Sequence, residues 1–352
     1  MKKIIWLIGL LGFVFQNGLL AQSPDPRFSQ FYASPLHLNP AMNGVFDGTI
    51  RVVANYRDQW ASILDTDPYR TIGFSADYRH NIVSDDYLAV GISLMGDQAG
   101  TTNLQHTRGH LNLSYLKKLS GHGYNKEAQY LIAGGQVGIG QSFIDYSDVW
   151  FTSQFDMSKE EIDFTLNSNE NISDNSNVYT DINAGLMWYG VFDEDLSVYA
   201  GAAVNHVNKP KFTFLDDFTQ EMFSRWVVHV GAQLPLSREL SILPGAVFMT
   251  QGPSNSIMLG TNFRYSNRDW RELAIRIGSW LHFANELESS TLSDAYVVNG
   301  VIEYEQLQFG FSYDFNLSSL KKATLGRGGF ELSVIYISKP STPRMKVSCP
   351  KF

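Results

Sequence analysis

Leu307-Gln308-Phe309-Gly310-Phe311-Ser312-Tyr313-Asp314-Phe315-Asn316 alternates without interruption between an apolar or aromatic residue and a polar or small one. Successive side chains of a strand point to opposite faces, so an extended chain here has one wholly apolar face and one wholly polar face. A helix would mix the two sets on every side. The alternation alone fits either the buried face of a sandwich or the lipid-facing wall of a barrel, and the rest of the chain has to decide between them.

The same alternation recurs along the chain. Ile50, Val52, Ala54 and Tyr56 oppose Arg51, Val53, Asn55 and Arg57; Ile72, Phe74, Ala76 and Tyr78 oppose Thr71, Gly73, Ser75, Asp77 and Arg79. Leu88 to Leu94 and His110 to Tyr115 continue it, and between Leu131 and Gln141 the polar face becomes Gly134, Gln136, Gly138 and Gly140. Beyond a polar insertion from Tyr146 to Asn177, further strands are expected near Tyr179–Phe192, Leu196–His206, Arg225–Leu236, Leu240–Thr250, Ser256–Asn267, Glu272–Phe283, Ala295–Tyr304, Leu307–Asn316 and Phe330–Ile337. Pro244 weakens the case for the strand at Leu240, because proline cannot donate to a ladder. The total is about fourteen strands, an even number, as single-chain outer-membrane barrels have.

Composition leans towards an all-β protein. Aromatic residues make up 13% of the 352, there are 29 glycines, and only 18% of residues are charged. Lys2 and Lys3 precede an apolar run from Ile4 to Phe15, and Leu19-Leu20-Ala21 before Gln22 is an acceptable cleavage site. Residues 1–21 are therefore expected to be a secretory signal peptide, too short to span a membrane as a helix. Without its two lysines the chain has 25 basic against 35 acidic residues, a formal charge of −10, which argues against nucleic acid as a partner. Cys349 is the only cysteine, so an intramolecular disulfide is excluded.

Connection lengths favour the barrel. With both termini in the periplasm, the outward connections include Ala61–Pro68, Tyr146–Asn177, Asn208–Ser224, Asn285–Asp294 and Ser318–Gly328. The inward ones include Ser84–Asp86, Asp193–Asp195, Ser237–Glu239 and Glu305–Gln306, with Ser120–Lys126 the longer exception. Short periplasmic turns opposite long external loops are an outer-membrane pattern that a sandwich gives no reason for. Tyr56, Trp60, Tyr78, Tyr115, Trp188, Tyr199, Trp226, Tyr296 and Tyr304 lie near strand ends, where interface girdles sit.

Chemistry-bearing constellations are sparse. His106 and His110 share a strand face, but no cysteine or carboxylate completes a metal-ligand set at a recognisable spacing. His110 with Ser114 lacks a marked third partner for a hydrolase. Gly135, Gly138 and Gly140 precede no helix pattern, so close backbone approach or wall bending explains them better than phosphate binding. The acids Asp148, Asp156, Glu160, Glu161, Asp163, Glu170 and Asp174 fit no calcium loop and read as a solvated face. Neither a cofactor nor a metal is expected. Arg51, Arg57, Arg79, Arg264 and Arg276 are expected in the lumen, either selecting anions or pairing with Asp77, Asp97, Asp181 or Asp314.

Residues 22–48 show no period and form an irregular arm before the first strand. Phe28, Phe31, Tyr32, Leu36 and Leu38 are too apolar for a free tail, and Pro26, Pro35 and Pro40 stiffen it. Such an arm either plugs the lumen from below or offers a docking edge to a partner. Its run from Asp25-Pro26-Arg27-Phe28-Ser29-Gln30-Phe31-Tyr32 through Pro35-Leu36-His37-Leu38-Asn39-Pro40 to Gly44 closely resembles the N-terminal signature of the PorP/SprF family of Bacteroidota type IX secretion and gliding proteins. Weaker echoes are Gly201 to Pro210, Gln251-Gly252, Ser312-Tyr313-Asp314, Gly329 to Ser333 and Cys349-Pro350-Lys351-Phe352; Met42 and Asn43 depart from the family's small residues. The resemblance implies an integral outer-membrane barrel without enzymatic activity. The resemblance implies a role with a surface adhesin exported by the same system or, as for other members, with a periplasmic ring and peptidoglycan-linked lipoproteins.

The expected organisation is a signal peptide (1–21), an arm or plug (22–48), a transmembrane antiparallel β-barrel (49–338) and a basic periplasmic tail (339–352). Candidate plug or partner contacts are Asp25, Arg27, Phe28, Gln30, Phe31, Tyr32, Pro35, Leu38, Asn39 and Pro40. Candidate polar lumen residues are Arg51, Arg57, Asp77, Arg79, Asp181, Arg264, Arg276 and Asp314. The competing functional reading is a passive porin.

Overall fold

The structure, a computed structural model, describes residues 25–64, 69–83, 85–100, 102–120, 127–145, 149–166, 175–193, 195–215, 218–267, 273–285, 291–318 and 321–339. The expected signal peptide, the tail beyond Lys339 and Cys349 lie outside the described residues.

The strands are β1 (Ile50–Gln59), β2 (Tyr69–Val83), β3 (Asp86–Ala99), β4 (Leu104–Ser120), β5 (Ala128–Phe143), β6 (Phe155–Asp156), β7 (Glu161–Ile162), β8 (Tyr179–Asp193), β9 (Leu196–Asn205), β10 (Lys211–Leu215), β11 (Phe218–Glu221), β12 (Arg225–Pro235), β13 (Leu240–Gln251), β14 (Ser254–Tyr265), β15 (Leu273–Asn285), β16 (Thr291–Tyr304), β17 (Leu307–Asn316) and β18 (Arg327–Ile337). Fourteen of them form one closed antiparallel barrel; β6 with β7, and β10 with β11, are two-stranded ribbons within connections. Each barrel strand pairs with its neighbours in sequence, and the seam is sealed by β1 on β18, from Arg51 opposite Ile337 to Gln59 opposite Gly329. Closure leaves no strand edge unpaired, which is what a sheet needs in hydrocarbon.

Alternation fixes which face looks where. In β17, Phe309, Phe311 and Phe315 are exposed on the outside, while Gly310, Ser312, Asp314 and Asn316 are buried inside. β4 does the same, with Leu111, Leu113 and Tyr115 outward and Asn112 and Ser114 inward. This barrel is apolar outside and polar inside, the inverse of a soluble fold. Tyr78, Tyr115, Trp226, Tyr296 and Tyr304 are exposed on its outer surface. Tyr199 is an exception to the expected girdle. It is buried inside, where Gly231 leaves room for its ring and His229 packs at 5.9 Å.

Pro244 does lie within a strand. The ladder from β13 to β14 runs through it, whereas the ladder to β12 passes from Gly245 to Ile242 without pairing Pro244 or Leu243. The missing proline donor is thus accommodated on one side only. Both ends of the barrel sequence, Ile50 and Ile337, lie at the end that carries the short connections from β2 to β3, β8 to β9, β12 to β13 and β16 to β17. In outer-membrane barrels that end is periplasmic. Loop lengths alternate less strictly than expected: the outer connections from β3 to β4 and from β13 to β14 are short, and Gly100 and Gly252, the first residue of each, have positive φ.

Candidate functional site: the seat of the N-terminal arm

Residues 25–48 pass through the lumen. Asp25 lies among the outer ends of β4, β9, β12 and β13, and the chain descends to Gly48, whose neighbour is Ser338 beyond the inner end of β18. Three short turns, Phe31–Ala33, Pro35–Leu38 and Pro40–Met42, break the descent. Prolines start two of them, where a missing N–H costs nothing.

The outer anchor is Asp25. Its carboxylate meets Arg108 Nη2 at 2.6 Å and His206 Nε2 at 2.6 Å, with Arg225 Nη1 at 3.8 Å, and its backbone N–H donates to Gln251 at 2.8 Å. The His206 ring continues to Asp181 at 2.8 Å, and Asp181 to His110 at 2.8 Å. Burying an acid this way is tolerable only with charge and hydrogen bonds on all sides, which these groups supply. His206 is held at φ 56 just after β9, a left-handed backbone that aims its ring inward.

The second anchor is Glu331 on β18. Its two carboxylate oxygens accept the consecutive backbone N–H groups of Ser29 (2.7 Å) and Gln30 (3.1 Å). Arg57 bridges Glu331 (2.9 Å) and Asp314 (2.6 Å), and Asp314 also accepts from the Ser29 hydroxyl at 2.8 Å. The Gln30 amide is read on both sides: it donates to Ser312 and accepts from the Ser333 hydroxyl. Phe31 and Tyr32 then pack on Trp280, with ring centroids 5.0 and 6.0 Å apart.

The third anchor is Asn39-Pro40. The Asn39 amide donates to the carbonyls of Leu186 (3.2 Å) and Ala202 (3.3 Å) and lies 2.9 Å from His229 Nε2, while its oxygen accepts from Ala41 N at 2.8 Å. Gly134 faces the Pro40 backbone, Gly185 faces Asn39 and Pro40, and Gly201 faces Asn39 and His229; a Cβ on any of the three would overlap them. The close approach that the glycines of β5 foreshadow occurs at Gly134, whereas Gly138 and Gly140 make room for His110 and Tyr179. Further down, Asn43 is held by Ala89 and Ser114, the Gly44 N–H by Asp77, and the Met42 and Val45 carbonyls by Arg51.

Of the arm residues singled out from sequence, Phe28 and Leu38 are buried, Pro35 borders a cavity at the inner mouth, and Arg27 borders a smaller one of about 250 Å³ at the outer mouth. Arg27 makes no hydrogen bond or ion pair among the described residues. All eight selected lumen residues point inward. Arg51 pairs with Asp77 at 2.8 Å, Arg57 with Asp314, and Arg79 donates to the carbonyls of Gly44 and Gly48. Arg264 and Arg276 share Glu303 instead of meeting any of the aspartates expected. Asp97 accepts from the Thr71 hydroxyl at 2.6 Å.

Sequence reasoning missed Glu331, Glu303, His206 and His229. The available signal was an ionisable side chain on the otherwise small, polar inward face of a strand. Ser114 and His110 do not cooperate, since Ser114 donates to Asn43 and His110 faces Asp181. His106 contacts Ser142, and no cluster of three metal-ligating side chains occurs among the described residues. In the outer insertion, Asp156 and Asp163 are held below the usual carboxylate range by the hydroxyls and amides of Ser158 and Thr165 respectively. Asp148, Glu170 and Asp174 lie outside the described residues.

Polar inner face, apolar outer face and a lumen occupied by the chain's own N-terminal arm define the class: a plugged β-barrel of the outer membrane. The family model for the type IX secretion system membrane protein PorP/SprF matches residues 20–336. The chain belongs to that family, and is a secretion-associated outer-membrane barrel. Among solved structures it is similar to CdiB from Acinetobacter baumannii (8% identity, TM-score 0.45, covering 82% of this chain and 60% of that one). It is also similar to a mutant of the monoaromatic hydrocarbon channel TodX (9%, 0.45, 85% and 92%) and to the Ralstonia pickettii toluene transporter TbuX (12%, 0.41, 86% and 92%). No curated protein matches the sequence significantly.

Proposed function

We propose that this barrel is a non-enzymatic accessory of type IX secretion that assists export or cell-surface anchoring of a partner adhesin, rather than a conduit for solutes. The observation that carries this reading is the filled lumen. Between the Asp25 anchor and the Gly44 contacts, the arm is bonded to inward groups of β1, β2, β3, β4, β5, β8, β9, β12, β17 and β18, so it occupies the cross-section that a channel needs for water. A barrel closed in this way works through its two mouths and its outer connections. The organisation we attach to it is an exported leader (1–21), a plug (22–48), a barrel in outer-membrane lipid (49–338) and a periplasmic tail (339–352). That tail faces the compartment of the secretion ring and of peptidoglycan-linked lipoproteins.

Deleting the gene tests the role directly. Loss of the partner adhesin from the cell surface, with its appearance in the medium or its retention in the periplasm, is the expected result. Normal export and retention of every surface adhesin would refute it. Planar-bilayer recordings address the rival: steady open conductance of the intact chain would establish a porin.

A further inference from the structure

The cavity of about 250 Å³ at the outer mouth, which Arg27 borders, is also lined by Trp60, Tyr69, Asp97, His282 and Asp314. At about 30 Å³ per water it equals about eight waters, the bulk of one pyranose ring with its hydroxyls. Its polar walls have open hydrogen-bonding capacity of both kinds. Arg27 brings forked N–H donors that no described residue engages. Asp97 accepts one hydrogen bond, from the Thr71 hydroxyl, and has lone pairs to spare. His282 and Asp314 each keep one atom, Nε2 and Oδ1, buried without a hydrogen-bond partner. His282 Nδ1 lies 2.8 Å from the Asp294 carboxylate, so Nδ1 carries the hydrogen and Nε2 of the neutral ring is an acceptor. A buried acceptor left without a donor is costly, and a ligand that brings one relieves it.

The remaining wall is aromatic. Trp60, just after β1, and Tyr69, which opens β2, meet edge to face with ring centroids 5.2 Å apart. Trp60 is held at φ 61, a left-handed conformation that a bulky residue adopts only where its surroundings impose it. Its N–H donates across the seam to the Gly328 carbonyl at 2.9 Å.

We infer that this outer vestibule seats a pyranose sugar of a surface glycan. Each hydroxyl of such a ring both donates and accepts, so one neutral ligand serves the guanidinium on one side and the carboxylates and imidazole on the other. A simple anion would gain Arg27 and be repelled by Asp97, Asp294 and Asp314, while Arg57 is already taken by Asp314 and Glu331. The apolar C–H face of the sugar matches the Trp60 indole. This mouth faces the cell exterior, where glycans are displayed. The seat does not depend on the proposed role in adhesin export.

The test uses the full mature chain in a detergent without a sugar head group. Glucose, galactose, mannose, rhamnose and N-acetylglucosamine are the probes, followed by saturation-transfer difference NMR. At least one of them receives saturation through its ring C–H protons. Arg27→Gln lowers its affinity by about tenfold, the usual size of one hydrogen bond to a charged group. Because Arg27 has no bond to lose, thermal unfolding of that variant stays where it was, which separates recognition from folding. Trp60→Gly removes the indole while easing the left-handed backbone, and abolishes the transfer. No transfer to any of the sugars, or transfer that either variant leaves unchanged, overturns the proposal. Binding of acetate in place of the sugars overturns it too and leaves a plain anion site. Displacement of the bound sugar by polysaccharide cleaved from the cell's own lipopolysaccharide supports a lipid-borne glycan, and displacement by surface glycopeptides alone supports a protein-borne one. Displacement by neither overturns the surface glycan as the source.

Discussion

Glu331→Gln is the sharpest single probe of the plug. The change keeps the shape of the side chain and leaves one acceptor oxygen where there were two, so of the adjacent N–H groups of Ser29 and Gln30 one keeps a partner and the other faces an amide NH₂. Arg57 loses one of its two carboxylates and keeps Asp314 at 2.6 Å. Hydrogen bonds to a charged group contribute about 1.5–3 kcal/mol each, and breaking a buried charge pair outright costs about 3–5 kcal/mol. Asp314 softens the loss, which places the expected cost near the lower bound, about 3 kcal/mol of docking free energy. At 1.4 kcal/mol per decade the undocked arm becomes roughly a hundredfold more populated. Trypsin cleavage after Arg27 reports that population, because proteolysis of a transiently opened segment follows the open fraction when reclosing is fast. The assay compares the rate at which the Phe28 N-terminus appears, by mass spectrometry, in heat-modifiable and therefore folded protein. A cleavage rate within about twofold of the parent chain would refute the claim that Glu331 holds the arm.

Further predictions follow from the other two anchors and from the wall. Gly185→Val places a branched side chain where Asn39 and Pro40 sit, so the arm is expelled, and step-like conductance should appear in planar bilayers where the parent is silent. Asp25→Asn leaves Arg108, Arg225 and His206 buried without their carboxylate; we expect a loss of about 3–5 kcal/mol in arm docking by the same trypsin assay, partly restored by adding Arg108→Gln. Phe311→Arg, on the lipid face of β17, should destabilise the folded barrel in vesicles by about 2–4 kcal/mol in urea titrations if it lies at mid-membrane depth.

The wall of this protein was legible in its sequence because a barrel in lipid imposes a two-residue period on every strand. The outward Phe309, Phe311 and Phe315 and the inward Gly310, Ser312 and Asp314 could be assigned from order alone. Tyr199 was misassigned because a girdle aromatic and a lumen aromatic look alike until the glycine opposite is known, and Gly231 is opposite only once β9 is set against β12. The same dependence on register hid the buried pairs. Arg57 and Asp314 both stand on inward faces, yet Glu331 between them comes from the strand that closes the seam. The arm was legible as something that must pack, through its aromatic residues and prolines. Its course to the outer mouth was not, because Asn39 is caught by carbonyls of β8 and β9, and backbone acceptors leave no mark in a sequence.

The seam has an implication for how the molecule is assembled. Glu331 sits on the sealing strand and grips two amides of the segment that precedes the first strand, so the acid that pins the stopper travels with the stave that completes the cask. Final closure and capture of the stopper are therefore coupled: a cylinder that zips shut with the arm still outside leaves Glu331 without its two amide donors and Asp314 without the Ser29 hydroxyl, two acids with Arg57 alone between them. The chain's two distant ends check one another before the wall is complete, and an assembly lacking either one is marked by an unsatisfied buried charge.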